Sequence, residues 1–130
     1  MTSAILGAAP MVVILPVKEL ERARAFYVER LGFEAEGLAA DGKFVLRAAG
    51  AKLALMPKPG GTKAEHTALS FKVEDLAGAI KALKARGVGF HDYDLPGFKT
   101  VNHVAEMGSE KAAWFSDTEG NILCLHEDVK

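Results

Sequence analysis

The chain has 130 residues, 49% of them hydrophobic and 25% charged, with a formal net charge of −1. This balance supports one globular domain with a real core and argues against disorder. Near-neutrality removes the basic field that a nucleic-acid partner requires, and no apolar run approaches the roughly 18 residues of a membrane helix. Residues 1–10 lack a basic start and a long apolar stretch, so no signal peptide is expected. A single cysteine precludes an internal disulfide and fits a reducing cytoplasm.

In chain order, Met11 to Val17 is a β-branched run too short for a buried helix, hence a strand. Leu20, Ala23, Phe26, Tyr27 and Leu31 then recur at helical spacing, with charges on the other side, and Gly32 ends the stretch. Three short strands are expected at Phe33 to Leu38, Phe44 to Ala48 and Lys52 to Met56, separated by the turns Asp41-Gly42 and Ala49-Gly50. Pro57 to Thr62 opens a linker.

The second half repeats the order. His66 to Val73 alternates as a strand with Thr67, Leu69, Phe71 and Val73 on one side and His66, Ala68, Ser70 and Lys72 on the other. Leu76, Ala79, Ile80 and Leu83 mark a helix ending at Gly87. Strands are expected near Gly89 to Tyr93, Thr100 to Glu106, Ala112 to Ser116 and Asn121 to His126, with Asp117 to Asn121 as the final turn. Internal repetition of this kind dictates architecture. It predicts an α+β chain of two βαβββ repeats, about 11–57 and 65–128 joined by a linker at 58–64, in one domain spanning 1–130. Their sheets curve around a cavity that a homodimer completes, because open sheet edges invite partners. Val17 to Gly50 spans 33 positions and Val73 to Gly120 spans 47. The excess falls around Asp92 to Lys111, a Gly- and aromatic-bearing stretch suited to a flap.

The stretches Val17 to Phe33 (VKELERARAFYVERLGF), Val73 to Val88 (VEDLAGAIKALKARGV) and above all Ala112 to Leu125 (AAWFSDTEGNILCL) resemble the vicinal oxygen chelate superfamily of glyoxalase I, extradiol dioxygenases and bleomycin-resistance proteins. The resemblance covers about Val12 to Glu127. It implies the paired βαβββ fold, and a reaction only weakly, since one fold hosts many functions. It also implies four metal-ligand positions, which fall here on Val12, Ala54, Ala68 and Cys124. Three of these carry no donor atom, so no metal and no cofactor are expected.

Strand alternation selects Val12, Ile14, Lys52, Ala54, Met56, Ala68, Ser70, Ile122 and Cys124 for the cavity face, together with His66 and His126. It also brings in one of Trp114 and Phe115, whose parity is ambiguous. Tyr93 and Phe98 can close over the top. Such a lining suits a small, apolar or aromatic organic molecule, with Trp114, Phe115 and Phe98 as stacking surfaces. The expected function is sequestration of such a ligand by a cytoplasmic homodimer with no nucleic-acid or membrane partner. Enzymatic activity is not favoured. One alternative is a glyoxalase- or dioxygenase-type metalloenzyme (a lyase or oxidoreductase) using displaced ligands His66, Cys124 and His126. Another is a structural dimer whose own side chains fill the groove. Cys124 is either a cavity thiol or, as free cysteines usually are, a small buried hydrophobe.

Overall fold

A computed structural model of the chain describes residues 5–129; residues 1–4, part of the segment weighed as a signal peptide, and residue 130 lie outside it. The repeat is realised as two four-stranded sheets. The first half contains β1 (Val12–Val17), α1 (Leu20–Ala25), a π-helical continuation (Phe26–Arg30), β2 (Glu34–Leu38), β3 (Phe44–Ala48) and β4 (Ala51–Pro57). The second contains β5 (Thr67–Lys72), α2 (Leu76–Ala85), β6 (Asp94–Leu95), β7 (Phe98–Lys99), β8 (Ala105–Met107), β9 (Glu110–Ser116) and β10 (Ile122–Asp128). The sheet orders β1-β4-β3-β2 and β5-β10-β9-β8 are the same topology twice, with β1 parallel to β4 and β5 parallel to β10. Among the described residues no helix is long and apolar enough to cross a membrane.

Three local details depart from simple periodicity. The first helix widens into a π-type turn, in which the N–H of Leu31 donates to the carbonyl of Phe26. The widening accompanies burial of two adjacent aromatic residues, Phe26 and Tyr27. The expected strand at Gly89 to Tyr93 reduces to a single bridge between Phe90 and Phe115. The expected strand from Thr100 turns back on itself instead: Val101 and Val104 pair around Asn102 and His103, both at positive φ, so regular pairing begins only at Ala105. The insertion predicted as a flap also carries the β6–β7 hairpin.

One face of each sheet enters a common hydrophobic cluster with the helices. Leu15, Val17, Leu46, Leu53 and Leu55 come from the first sheet and Ala113, Phe115, Leu123 and Leu125 from the second. Phe33 meets Phe71 edge-on across the two halves, with ring centroids 5.9 Å apart. The other faces stay open.

The halves are locked by the turn before β10, whose Asp117, Glu119 and Asn121 are buried. Glu119 accepts hydrogen bonds from the backbone N–H groups of Lys18 and Glu19, both at 2.9 Å. Arg22 donates to it from Nε and Nη2 at 2.7 and 3.1 Å, and Thr118 Oγ1 donates at 2.8 Å. Glu19, at the N-cap position of α1, makes no side-chain cap, so a carboxylate from the other half satisfies the free N–H groups there. Tyr27 donates to Asp117 Oδ2 at 2.6 Å, and Asn121 Nδ2 donates to the carbonyl of Pro16 at 3.1 Å. The second helix is capped by Asp75, and by Glu127, which accepts from the N–H of Leu76 at 2.7 Å. Strand β10 thus has a helix-capping carboxylate on either side of its core segment.

Burial alone would raise the pKa of Glu119, but the hydrogen bonds from Arg22, Glu19, Thr118 and Lys18 outweigh it and hold it at about 2. A carboxyl depressed below its ordinary 4.5 contributes its full stabilisation above that pH and loses it as pH falls toward about 2. Glu119→Gln is expected to cost about 2 kcal/mol, the scale of a charge-assisted hydrogen bond plus a lost cap. Urea unfolding at a series of pH values checks this, with the variant showing a shallower loss of stability in the acid range.

Candidate functional site

The open face of the second sheet gathers the richest chemistry. Ser70 on β5, Cys124 on β10 and Trp114 on β9 are consecutive partners across the sheet, so their side chains share one face. His126 follows two residues after Cys124, and its Nδ1 lies 2.6 Å from Ser70 Oγ. Ala112 and Cys124 are buried yet lie outside the main hydrophobic cluster, so small side chains pave the centre of this face.

The alternation predicted for β5 is broken. The register shifts beside Ile122, so Thr67 pairs with Ile122 and Leu69 with Leu123. Ala68 is the extra residue, and such a bulge re-aims side chains. Ala68 packs against the hydrophobic core, correcting its assignment to the cavity face, and Thr67 takes its place there. Thr67 Oγ1 accepts a hydrogen bond from Trp114 Nε1 at 3.2 Å. The ambiguity at Trp114 and Phe115 is also resolved. Phe115 is 1% exposed and belongs to the core, correcting its assignment as a stacking surface, while Trp114 is half-buried on the open face.

The insertion completes this face. Tyr93 and Phe98, from the segment around the β6–β7 hairpin, pack on Trp114 at centroid distances of 5.8 and 5.5 Å, and on each other at 5.5 Å. Three aromatic rings in offset or edge-on geometry form a platform whose margin carries Thr67, Ser70 and His126. His66 precedes β5 and is exposed.

The open face of the first sheet is different. Val12 and Ile14 on the edge strand β1 are 45% and 53% exposed, beside Ala54, which is fully buried, and the half-buried Met56. Lys52 is engaged with Glu36 at 3.2 Å, and Arg47 pairs with Glu34 at 2.9 Å. The lysine thus pairs with a carboxylate on β2, reached across the intervening β3.

The four positions expected for metal ligands supply one donor, the thiol of Cys124, which donates to the carbonyl of Leu125 at 3.4 Å. Burial pushes this thiol's pKa up, against a smaller opposing effect from Ser70, so it stays protonated. Val12, Ala54, Ala68 and Cys124 do not fit a divalent cation. Sequence reasoning missed a different cluster: Glu110, His126 and Asp128 bring ligand-type atoms within 4.8 Å of one another. The pairing of Glu110 with Asp128 across β9 and β10 creates it, and His66 is not a member. Asp128 is also held by Lys72 at 3.0 Å.

The sequence profile described as Glyoxalase/Bleomycin resistance protein/Dioxygenase superfamily matches residues 9–125. The chain belongs to this superfamily. Among solved structures it is similar to a glyoxalase family protein from Bacillus anthracis, at 19% identity and a TM-score of 0.75 over 98% of this chain and 99% of that one. A superfamily member from Sphaerobacter thermophilus is 28% identical, with a TM-score of 0.71 over 93% and 98% of the two chains. TnmS3, an antibiotic binding protein from Streptomyces sp. CB03234, is 22% identical with a TM-score of 0.69 over 96% and 99%. No curated protein matches the chain. For this superfamily member, Cys124 is expected to react with iodoacetamide at neutral pH at least tenfold more slowly than free cysteine, as mass spectrometry of timed aliquots would reveal.

Proposed function

We propose that the protein binds a flat, apolar or aromatic small molecule against the Trp114 platform, without a metal ion, and acts by sequestration rather than turnover. The carrying observation is the half-buried Trp114 framed by Tyr93 and Phe98, on a face where polar atoms from Thr67, Ser70 and His126 stand beside it. An apolar surface with a few fixed polar points is the composition of a small-molecule site. The four positions associated with metal binding offer a single protonated thiol. The likeness to an antibiotic binding protein is in keeping with this reading. A homodimer completes the site in our reading: β1 is a sheet edge that exposes Val12 and Ile14, and a second chain would cover it. The single free cysteine fits a cytoplasmic setting.

A second reading is favoured by one observation, the Glu110–His126–Asp128 cluster. The contact between His126 Nδ1 and Ser70 leaves Nε2 available as a ligand, and orienting partners of this type are common around metal-binding histidines. It would make the protein a metal-dependent enzyme of glyoxalase or dioxygenase type with a displaced centre.

The chain has one tryptophan, so its fluorescence reports directly on the platform. A panel of polycyclic aromatic antibiotics and metabolites is expected to contain saturable quenchers, and calorimetry should show about tenfold weaker binding after Trp114→Ala. Unchanged affinity in that variant would remove stacking from the account. Elemental analysis of purified protein is expected to find well under one equivalent of zinc, nickel, iron or manganese. One equivalent lost in His126→Ala would instead establish the displaced centre.

A further inference from the structure

A cavity lies on the side of the second sheet opposite the Trp114 platform. Its volume is about 360 Å³, and its walls come from both halves of the chain. Leu31 and Phe33 follow the first helix, Phe71 and Phe115 come from the second sheet, and Leu83 and Arg86 come from the end of the second helix. This volume falls within the range of small-ligand pockets. Every lining residue is apolar or glycine except Arg86.

The two helix ends brace each other at this point. Arg86 Nη1 donates to the carbonyl of Arg30 at 3.3 Å, and Arg30 Nη1 donates to the carbonyl of Gly87 at 3.3 Å. Gly32 and Gly87 adopt positive φ of 84° and 87°, and a side chain at Gly87 would crowd the Arg30 guanidinium, with its Cβ 3.3 Å from Nη1. A guanidinium has five N–H donors, and this reciprocal pair of hydrogen bonds engages one on each. Arg22, Arg24 and Arg47 all have carboxylate partners, whereas among the described residues neither Arg30 nor Arg86 has one. The cleft therefore joins an apolar floor to an uncompensated, planar cationic group at its margin.

We propose that this cleft binds an apolar monocarboxylate of fatty-acid type, its tail against the partly exposed Leu31, Phe71 and Leu83 and its carboxylate on Arg86. The guanidinium fork matches a carboxylate bidentately, which gives a reason for an acid rather than a neutral apolar molecule. The site is separate from the Trp114 platform, because adjacent residues of β9 point to opposite faces. The two readings therefore stand or fall independently.

Decanoate and decanol are suitable probes, with calorimetry for affinity and carbon-13 methyl spectra for location. Decanoate is expected to shift the methyl signals of Leu31 and Leu83. Arg86→Gln, an exposed position, should weaken decanoate about tenfold and leave decanol unchanged. Trp114→Ala should leave decanoate binding intact. The proposal is overturned if decanoate leaves these methyls unmoved, or if Arg86→Gln binds it as tightly as the parent chain. Weakening by Trp114→Ala alone would move the carboxylate to the other face and overturn the proposal equally. Shifts that follow protein concentration rather than decanoate would assign the cleft to a second copy of the chain and likewise overturn it.

Discussion

A buried carboxylate in one half of the chain caps a helix in the other, and much of the architecture depends on it. Glu119 has no side-chain exposure, yet it receives two backbone N–H groups, a threonine hydroxyl and an arginine. Its negative charge sits at the positive end of α1, where the local sequence supplies no cap of its own. Losing the contact would leave a charge without partners, a state far costlier than an exposed ion pair. The same turn holds Tyr27 through Asp117 and the end of β1 through Asn121. Two similar units are thereby tied at a defined orientation by polar contacts, while Phe33 and Phe71 meet edge-on between them.

Strand alternation then divides the second sheet between two chemistries. Phe115, Leu123 and Leu125 turn toward the helices and build the core, with the arginine-rimmed cleft at its margin. Trp114, Cys124 and His126 turn the other way, where the long insertion lays Tyr93 and Phe98 against the indole. The open face of the first sheet bears ion pairs and exposed aliphatic side chains instead. The two halves share a topology but have diverged in what they present.

Much of this is legible along the chain. The repeat, both helices, the main strands and the β9–β10 hairpin all follow from local periodicity and turn chemistry. The insertion is recognisable from the unequal lengths of the two halves, and its aromatics do meet Trp114. Two site assignments fail, each for its own reason. Strict period-two alternation places Ala68 on the cavity face, but one extra residue at the bulge rotates Ala68 toward the core and leaves Thr67 on the open face. Phe115 shares the stacking assignment with Trp114 because parity alone cannot say which of two adjacent aromatics lies inside. The Glu110–His126–Asp128 cluster has no signal in spacing, since it arises from cross-strand register.

The amino-acid sequence by itself determined the repeated βαβββ order, the superfamily resemblance and the absence of donor atoms at three of the four expected ligand positions. These are properties of residue type and near-neighbour spacing, where helical and strand periods act. Only the tertiary structure decided that Glu119 caps the other half's helix, that Thr67 supports Trp114, and that Arg86, without a carboxylate partner among the described residues, borders an apolar cleft. Those contacts join residues far apart in the chain, and packing and register, which no local period encodes, bring them together.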